Sequence, residues 1–130
     1  MLGRAVFLHF VGDYITQSHW MANEKTKKWF PAVAHGVIYS LPFLFLTQSI
    51  LALAVIAGTH IVIDHYRLAR HFIWAKNMVL SPLSVRTPWV EARAHQGFDT
   101  STPLWLSTIL MIVVDNIMHV SINILALLYL

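Results

Sequence analysis

The chain has 130 residues, of which 57% are hydrophobic and 12% are charged, and it contains no cysteine. Soluble domains carry roughly 25% charged residues, and a chain of this length could not bury so much apolar surface, so we predict a single integral membrane domain over residues 1–130. The lack of cysteine excludes disulfide scaffolds, zinc fingers and cysteine nucleophiles. The net charge of +3 would suit nucleic acid, but the positions of the charges argue against that partner.

Apolar stretches predict four membrane-spanning helices. The first covers residues 2–21 and the last covers 104–130. The 35 residues from Trp29 to Ile63 include no Asp, Glu, Lys or Arg, which suits two spans of about 20 residues or slightly fewer. We place these two spans at 31–47 and 50–67, joined by a tight turn. The expected fold is all-α, an integral membrane four-helix bundle.

The remaining segment, 68–103, is polar and contains three prolines. We predict that it forms a cytoplasmic loop with short interfacial helices between the third and fourth spans. Eight of the nine Lys and Arg residues fall on the side of the spans where this loop lies. The positive-inside rule then places both termini on the outer side of a bacterial cytoplasmic membrane. The basic residues set topology, so no nucleic-acid partner is expected.

Histidine and aspartate recur at one spacing. Each of the four aspartates has a histidine four residues away, and on a helix such a pair shares one face. An ionised side chain at the centre of a spanning helix costs about 2.5 to 3.5 kcal/mol, so the side chains in the spans should turn inward and meet. The candidate metal ligands are His9, Asp13, His35, His60, Asp64, Asp115 and His119. The fourth pair, His95 and Asp99, lies in the loop and is assigned to a cap or surface contact.

Three interpretations of the buried set remain open. Imidazole and carboxylate groups on facing helices can bind one or two divalent ions, and Zn, Mn and Fe all suit these ligands. The same groups can form a hydrogen-bond network that locks the helices together. Chains of Asp and His also mark proton or ion paths in membrane proteins.

A second group of residues follows Asp64. It comprises Arg67, Arg70, Lys76 and Asn77. One interpretation is that the arginines extend to the interface and set topology. The other is an anion-binding site for a phosphate or a lipid headgroup, which would hold the anionic part of a substrate.

The motifs extend over nearly the whole chain: His9-Phe-x-Gly-Asp13-Tyr, Ala34-His35, His60-x-x-x-Asp64-x-Tyr66-Arg67-Leu68-Ala69-Arg70, Trp74-Ala75-Lys76-Asn77 and Asp115-Asn116-x-x-His119. In combination they resemble an uncharacterised domain-of-unknown-function family of small membrane proteins from bacteria and phages, with the actinobacterial-phage branch most similar. The resemblance implies a multi-span membrane protein with these His and Asp positions as its signature. It implies no activity.

The resulting functional hypothesis is a metal-dependent membrane hydrolase that acts on a lipid-linked or phosphorylated substrate, with a metal ion activating water. The catalytic residue is not assigned, because no nucleophile motif is present. The alternatives are a small transporter or ion-conducting protein, working as a homo-oligomer, and a non-catalytic phage or host membrane effector. Membrane lipids are the expected partners in each case.

Overall fold

The structure is a computed structural model that describes residues 1–130. It contains seven α-helices and no β-strand, which confirms the all-α class. The helices are α1 (Leu2–Phe10), α2 (His19–Glu24), α3 (Trp29–Ser40), α4 (Ile50–Tyr66), α5 (Leu68–Leu80), α6 (Trp89–Ala92) and α7 (Leu104–Tyr129).

The chain divides into two compact units. The first unit comprises residues 1–66 and 118–130, and the second comprises residues 67–117. In the first unit α3 packs mainly against α4, and it also contacts α2 and the turn over Val11–Ile15 that follows α1. Its apolar core contains Tyr39, Phe43, Ile56 and Ala126.

The first predicted span contains two helices separated by a break. Helix α1 continues as a π-helical turn over Val11–Ile15, and the chain then leaves helical geometry before α2. The Ser18 hydroxyl caps α2 by accepting a hydrogen bond from the Met21 amide at 3.3 Å, which satisfies one of the free donors of the first turn. The π-helical turn holds Asp13, and turns of this kind occur often at functional sites.

The two central helices overlap the predicted spans 31–47 and 50–67, with α3 beginning two residues earlier, at Trp29. Helix α3 continues as a 3-10 turn over Leu41–Phe45, where Pro42 occupies an early position that needs no amide donor. Helix α4 follows a short connection, and the Ser49 hydroxyl accepts a hydrogen bond from the Ala52 amide at 3.2 Å. This connection is the tight turn that the sequence predicts.

The second unit begins at Arg67, whose left-handed backbone (φ 52°) separates α4 from α5. Two turns of 3-10 helix flank α6, and Gly97 follows with φ 92°. A Cβ atom at Gly97 would collide with the carbonyl oxygen of Arg70, so only glycine lets this loop approach α5. Hydrogen bonds from Trp74 Nε1 to the Thr87 carbonyl (2.9 Å) and from Asn77 Nδ2 to the Gly97 carbonyl (3.2 Å) hold the loop there.

One helix is long and apolar enough to cross a membrane. Helix α7 has 26 residues and a mean hydropathy of 1.9. Helices α4 and α5 meet the same criterion only when they are taken together as one broken span, and the apolar helix over Trp29–Phe45 is shorter than the criterion requires. Length and composition therefore support one spanning helix, or two, against the four that the sequence predicts.

The close approach of Gly12 to α3 gives a stability prediction. A Cβ atom at Gly12 would lie 2.6 Å from Tyr39 Cδ2, whereas a Cβ atom at Gly58 would meet nothing within 4 Å. We expect Gly12→Ala to lower the free energy of unfolding by about 1–3 kcal/mol through overpacking. The matched Gly58→Ala should raise it by about 0.5–1 kcal/mol, because alanine favours a helix interior. Thermal unfolding in detergent, followed by circular dichroism, compares the two, and equal melting temperatures would contradict the close packing.

Candidate metal centre

Four buried side chains converge from three elements of the first unit. Asp13 comes from the π-helical turn after α1, His35 from the middle of α3, and His60 and Asp64 from consecutive turns near the end of α4. The two histidines are 0% and 1% exposed, and both aspartates are 7% exposed. Buried charges in proteins are paired or bind metals, so the four residues form either an ion-pair network or a ligand set. We name them the Asp13 cluster.

One possible ligand atom from each residue lies within 4.8 Å of the other three. His35 Nε2 and His60 Nε2 lie 2.9 Å apart. Asp13 Oδ1 lies 3.2 Å from the first nitrogen and 3.3 Å from the second. Asp64 Oδ2 lies 3.4 Å and 3.2 Å from the same two nitrogens.

These separations suit a small divalent cation. Zinc bonds of 2.0–2.2 Å in a tetrahedron place neighbouring ligand atoms about 3.3–3.6 Å apart. The five distances, 2.9–3.4 Å, lie at or slightly below the lower end of that range, and all four ligand atoms lie within 4.8 Å of one another. The Asp13 cluster could therefore hold a metal ion, as the sequence predicts for these four residues.

Lys25 supplies a positive charge at this cluster, a role beyond the topological one expected for the basic residues. Its Nζ donates to Asp64 Oδ2 at 2.6 Å, and its side chain is 17% exposed. The ring of His65 lies beside it, with Nδ1 2.8 Å from the Lys25 carbonyl oxygen, and stacks on Trp29. With neutral histidines, the two carboxylates and one ammonium leave one net negative charge, which favours binding of a further cation.

The second oxygen of Asp64 has its own partner. His119 Nε2, from α7, lies 3.2 Å from Asp64 Oδ1, and its side chain is 1% exposed. Asp64 therefore places Oδ2 in the Asp13 cluster and Oδ1 against His119. The contact with His119 orients the carboxylate plane and so fixes the position of Oδ2 in the cluster.

The second oxygen of Asp13 faces His9. His9 Nε2 lies 3.7 Å from Asp13 Oδ2, and its Nδ1 lies 2.8 Å from the Tyr39 hydroxyl. Asn123 Nδ2 donates to the same hydroxyl. The Tyr39 ring also stacks on His60 at 3.7 Å between centroids. Tyr39 thus orients two of the predicted histidines, His9 through its hydroxyl and His60 through its ring.

The outer nitrogens of the two ligand histidines have no hydrogen-bond partner. Both His35 Nδ1 and His60 Nδ1 are buried and unpaired. Histidines that bind metals usually donate this second nitrogen to an acceptor. In this protein the rings are oriented by packing, and for His60 the Tyr39 ring provides that packing.

The remaining predicted ligand, Asp115, lies on α7 one turn before His119 and belongs to the second unit. The loop pair has other partners. Hydrogen bonds from Ser101 and Thr87 lower the pKa of Asp99 to about 2, and His95 Nδ1 lies 2.9 Å from the Thr102 carbonyl oxygen. These contacts fit the cap or surface role expected for the loop pair.

Each of the four predicted anion-binding residues contacts a different partner in the second unit. Arg67 donates to the Gln96 side-chain oxygen at 3.0 Å, and the Arg70 guanidinium lies over the Trp89 ring at 5.4 Å. Lys76 lies over the Phe98 ring, and Asn77 bonds to the Gly97 carbonyl. Asn77 also lines a cleft of about 390 Å³ in the second unit, whose other walls include Trp74, Arg86, Asp99 and several hydroxyl side chains.

Comparison with known protein families gives a match over almost the whole chain. A family model described as a protein of unknown function (DUF3307) matches residues 2–130. The chain belongs to the DUF3307 family. This confirms the resemblance to a domain-of-unknown-function family, while the phage branch stays a prediction. No curated protein and no solved structure matches the chain, so the chemistry of this DUF3307 protein must be argued from its own residues.

Lys25 and a bound cation would compete for Asp64. We expect Lys25→Met to raise the affinity for Zn²⁺ or Mn²⁺ by roughly tenfold, about 1.4 kcal/mol, because the carboxylate loses its ammonium partner. Lys27→Met is the matched control, since Lys27 is 67% exposed and lies 3.8 Å from Glu24. Titration against a chromophoric chelator measures the affinity of each variant. A loss of metal binding in Lys25→Met would contradict the competition.

Proposed function

We propose that the chain is a multi-pass protein of the bacterial cytoplasmic membrane and a metal-dependent hydrolase of a lipid-linked or phosphorylated substrate. The convergence of two imidazole nitrogens and two carboxylate oxygens, 2.9–3.4 Å apart in the five measured separations, carries this proposal. No thiolate competes in the ligand set, because the chain has no cysteine. The family match adds no chemistry of its own.

The ligand count bears on which metal would support catalysis. A metal ion bound here would supply a water molecule of lowered pKa and a Lewis acid for the substrate oxygen. Tetrahedral zinc would use all four protein ligands, and closed sites of that kind are structural. A six-coordinate ion such as Mn²⁺ or Fe²⁺ would leave two positions free. Hydrolysis therefore favours an expanded coordination shell at the Asp13 cluster.

Residues around the metal centre would admit the substrate, position the carboxylates and contact the substrate. Asp13 and Asp64 keep 7% exposure while His35 and His60 keep 0% and 1%, so water and substrate would approach from the carboxylate side. His9 and His119 contact the outer carboxylate oxygens and would position the carboxylates. Lys25 would leave Asp64 when the cation binds and then lie beside the substrate.

The membrane placement rests on composition and on α7. Helix α7 meets the length and hydropathy criterion for a span, and the apolar stretches of α3 and α4 would supply the other spans with part of the first 21 residues. The basic loops would face the cytoplasm and both termini the outer side. If the chain is of phage origin, the membrane is that of the bacterial host.

A second candidate function is favoured by the ion pair of Lys25. The ammonium already neutralises one of the two buried carboxylates, so the cluster could act without metal as a polar network that locks α3 and α4, or as part of a proton path. In a locking network, replacing both members of a pair with apolar residues is tolerated better than removing one.

Metal content separates the two candidates. We expect one equivalent of a transition metal per chain in detergent-purified, tag-free protein, and loss of most of it in His60→Ala and Asp13→Asn, because each removes one of four ligands. His95→Ala is the matched control, since His95 has the same spacing from an aspartate but bonds to Thr102. Elemental mass spectrometry makes the measurement. No metal in wild type after loading with Zn, Mn and Fe would contradict the metal centre.

Activity tests the hydrolase proposal separately. Protein loaded with Mn²⁺ or Fe²⁺ should release phosphate or a headgroup from phosphorylated lipids, and zinc-loaded protein should be slower, because zinc leaves no open position. His60→Ala should lower the rate by at least about 10²-fold, which corresponds to about 2.7 kcal/mol. A metal-loaded protein without activity on any phosphorylated or lipid-linked substrate would leave the metal centre but refute the hydrolase.

A further inference from the structure

Three arginines of the second unit belong to segments that contact one another, since Arg67 bonds to Gln96 and Arg70 lies over the Trp89 ring. Arg67 precedes α5, Arg70 lies in its first turn, and Arg93 follows α6. The pKa of Arg70 is lowered by burial and by the positive charges of Arg67 and Arg93. None of the ion pairs in the protein includes an arginine. The three like charges therefore remain uncompensated within the chain.

The Arg70 side chain has an unused donor. Its Nε atom is buried and has no hydrogen-bond partner, which is rare for a buried polar group. The guanidinium lies 5.4 Å over the Trp89 ring, which fixes its plane. His71 stacks on the same Trp89 ring, and burial, then the charges of Arg70 and Arg67, lower the pKa of His71.

The backbone beside these arginines adopts a left-handed conformation at two residues. Arg67 and Gln96 are the two non-glycine residues with positive φ, at 52° and 56°. Their side chains bond to each other, Arg67 Nη2 donating to Gln96 Oε1 at 3.0 Å. Gly97 lets the loop that carries Gln96 contact the Arg70 backbone. Strained residues persist where the surrounding structure fixes them, and they cluster at ligand sites.

We propose that Arg67, Arg70 and Arg93 form a binding site for a phosphate group, carried either by a phospholipid headgroup or by a free phosphorylated compound. A phosphate offers several oxygens that accept from guanidinium groups in paired geometry. It would supply the negative charge that balances the three guanidinium groups. The proposed site keeps Arg67 and Arg70 of the predicted anion-binding group and adds Arg93 and Trp89. It leaves out Lys76, which lies over the Phe98 ring, and Asn77, which bonds to the Gly97 carbonyl.

The test measures binding by calorimetry with three probes in detergent and EDTA. The probes are inorganic phosphate, dihexanoyl phosphatidylglycerol and dihexanoylglycerol, which lacks the phosphate. We expect a phosphate-bearing probe to bind and Arg70→Gln to weaken its affinity at least about tenfold. Arg86→Gln removes the same charge from a residue that bonds to the Ser81 carbonyl, and it should change the affinity by less than about twofold.

The outcomes are distinct. Stronger binding of the phosphatidylglycerol assigns the site to a lipid headgroup, and equal binding of inorganic phosphate assigns it to a free compound. Equal binding of dihexanoylglycerol, or unchanged binding in Arg70→Gln, overturns the proposal. If Arg70→Gln does not fold, Arg93→Gln takes its place, because Arg93 is exposed. EDTA keeps the measurement independent of the Asp13 cluster, so the proposal does not depend on the metal centre.

Discussion

The burial of two carboxylates among apolar helices is the constraint on which the first unit depends. Asp13 and Asp64 are each 7% exposed, and a buried charge must be paired or bound to a cation. Every carboxylate oxygen has a basic or imidazole neighbour: one Asp13 oxygen faces His35 and His60, and the other faces His9. The packing of α3 on α4 and the close approach at Gly12 bring these neighbours within reach. The core is thus organised around charge as much as around apolar contact.

The spacing of His and Asp along the chain predicted much of this cluster. Two residues four apart share a helix face whatever the rest of the fold, so His60 and Asp64 could be paired from the sequence, and they lie 3.2 Å apart. The spacing did not predict the partners from other helices. Lys25 is one of three lysines within four positions, and nothing local distinguishes the one that contacts Asp64. Only the approach of α4 to this segment selects it.

The second unit was less predictable from its sequence. The polar, proline-containing segment suggested short interfacial helices, but α5 extends from Leu68 to Leu80 and packs under a folded loop. Trp74 donates to a backbone carbonyl of that loop. Arg67 and Gln96 have positive φ, which is uncommon for residues other than glycine. Their side chains are joined by a hydrogen bond, although they lie 29 positions apart in the sequence. Interactions of that range leave no local signal.

The π-helical turn at Asp13 ties the metal-binding geometry to the number of residues in this segment. A π-helical turn places one extra residue in the helical ladder, bonding five residues apart where an α-helix bonds four apart. Deleting Val11 or Gly12 from the turn over Val11–Ile15 would let an ordinary helix form with better local geometry. Each later side chain would then be rotated by about 100° relative to α1. Asp13 and His9 would no longer keep their present relation, so natural insertions and deletions here should be rarer than substitutions. The local helix is less regular than its sequence would allow, and the site requires that irregularity.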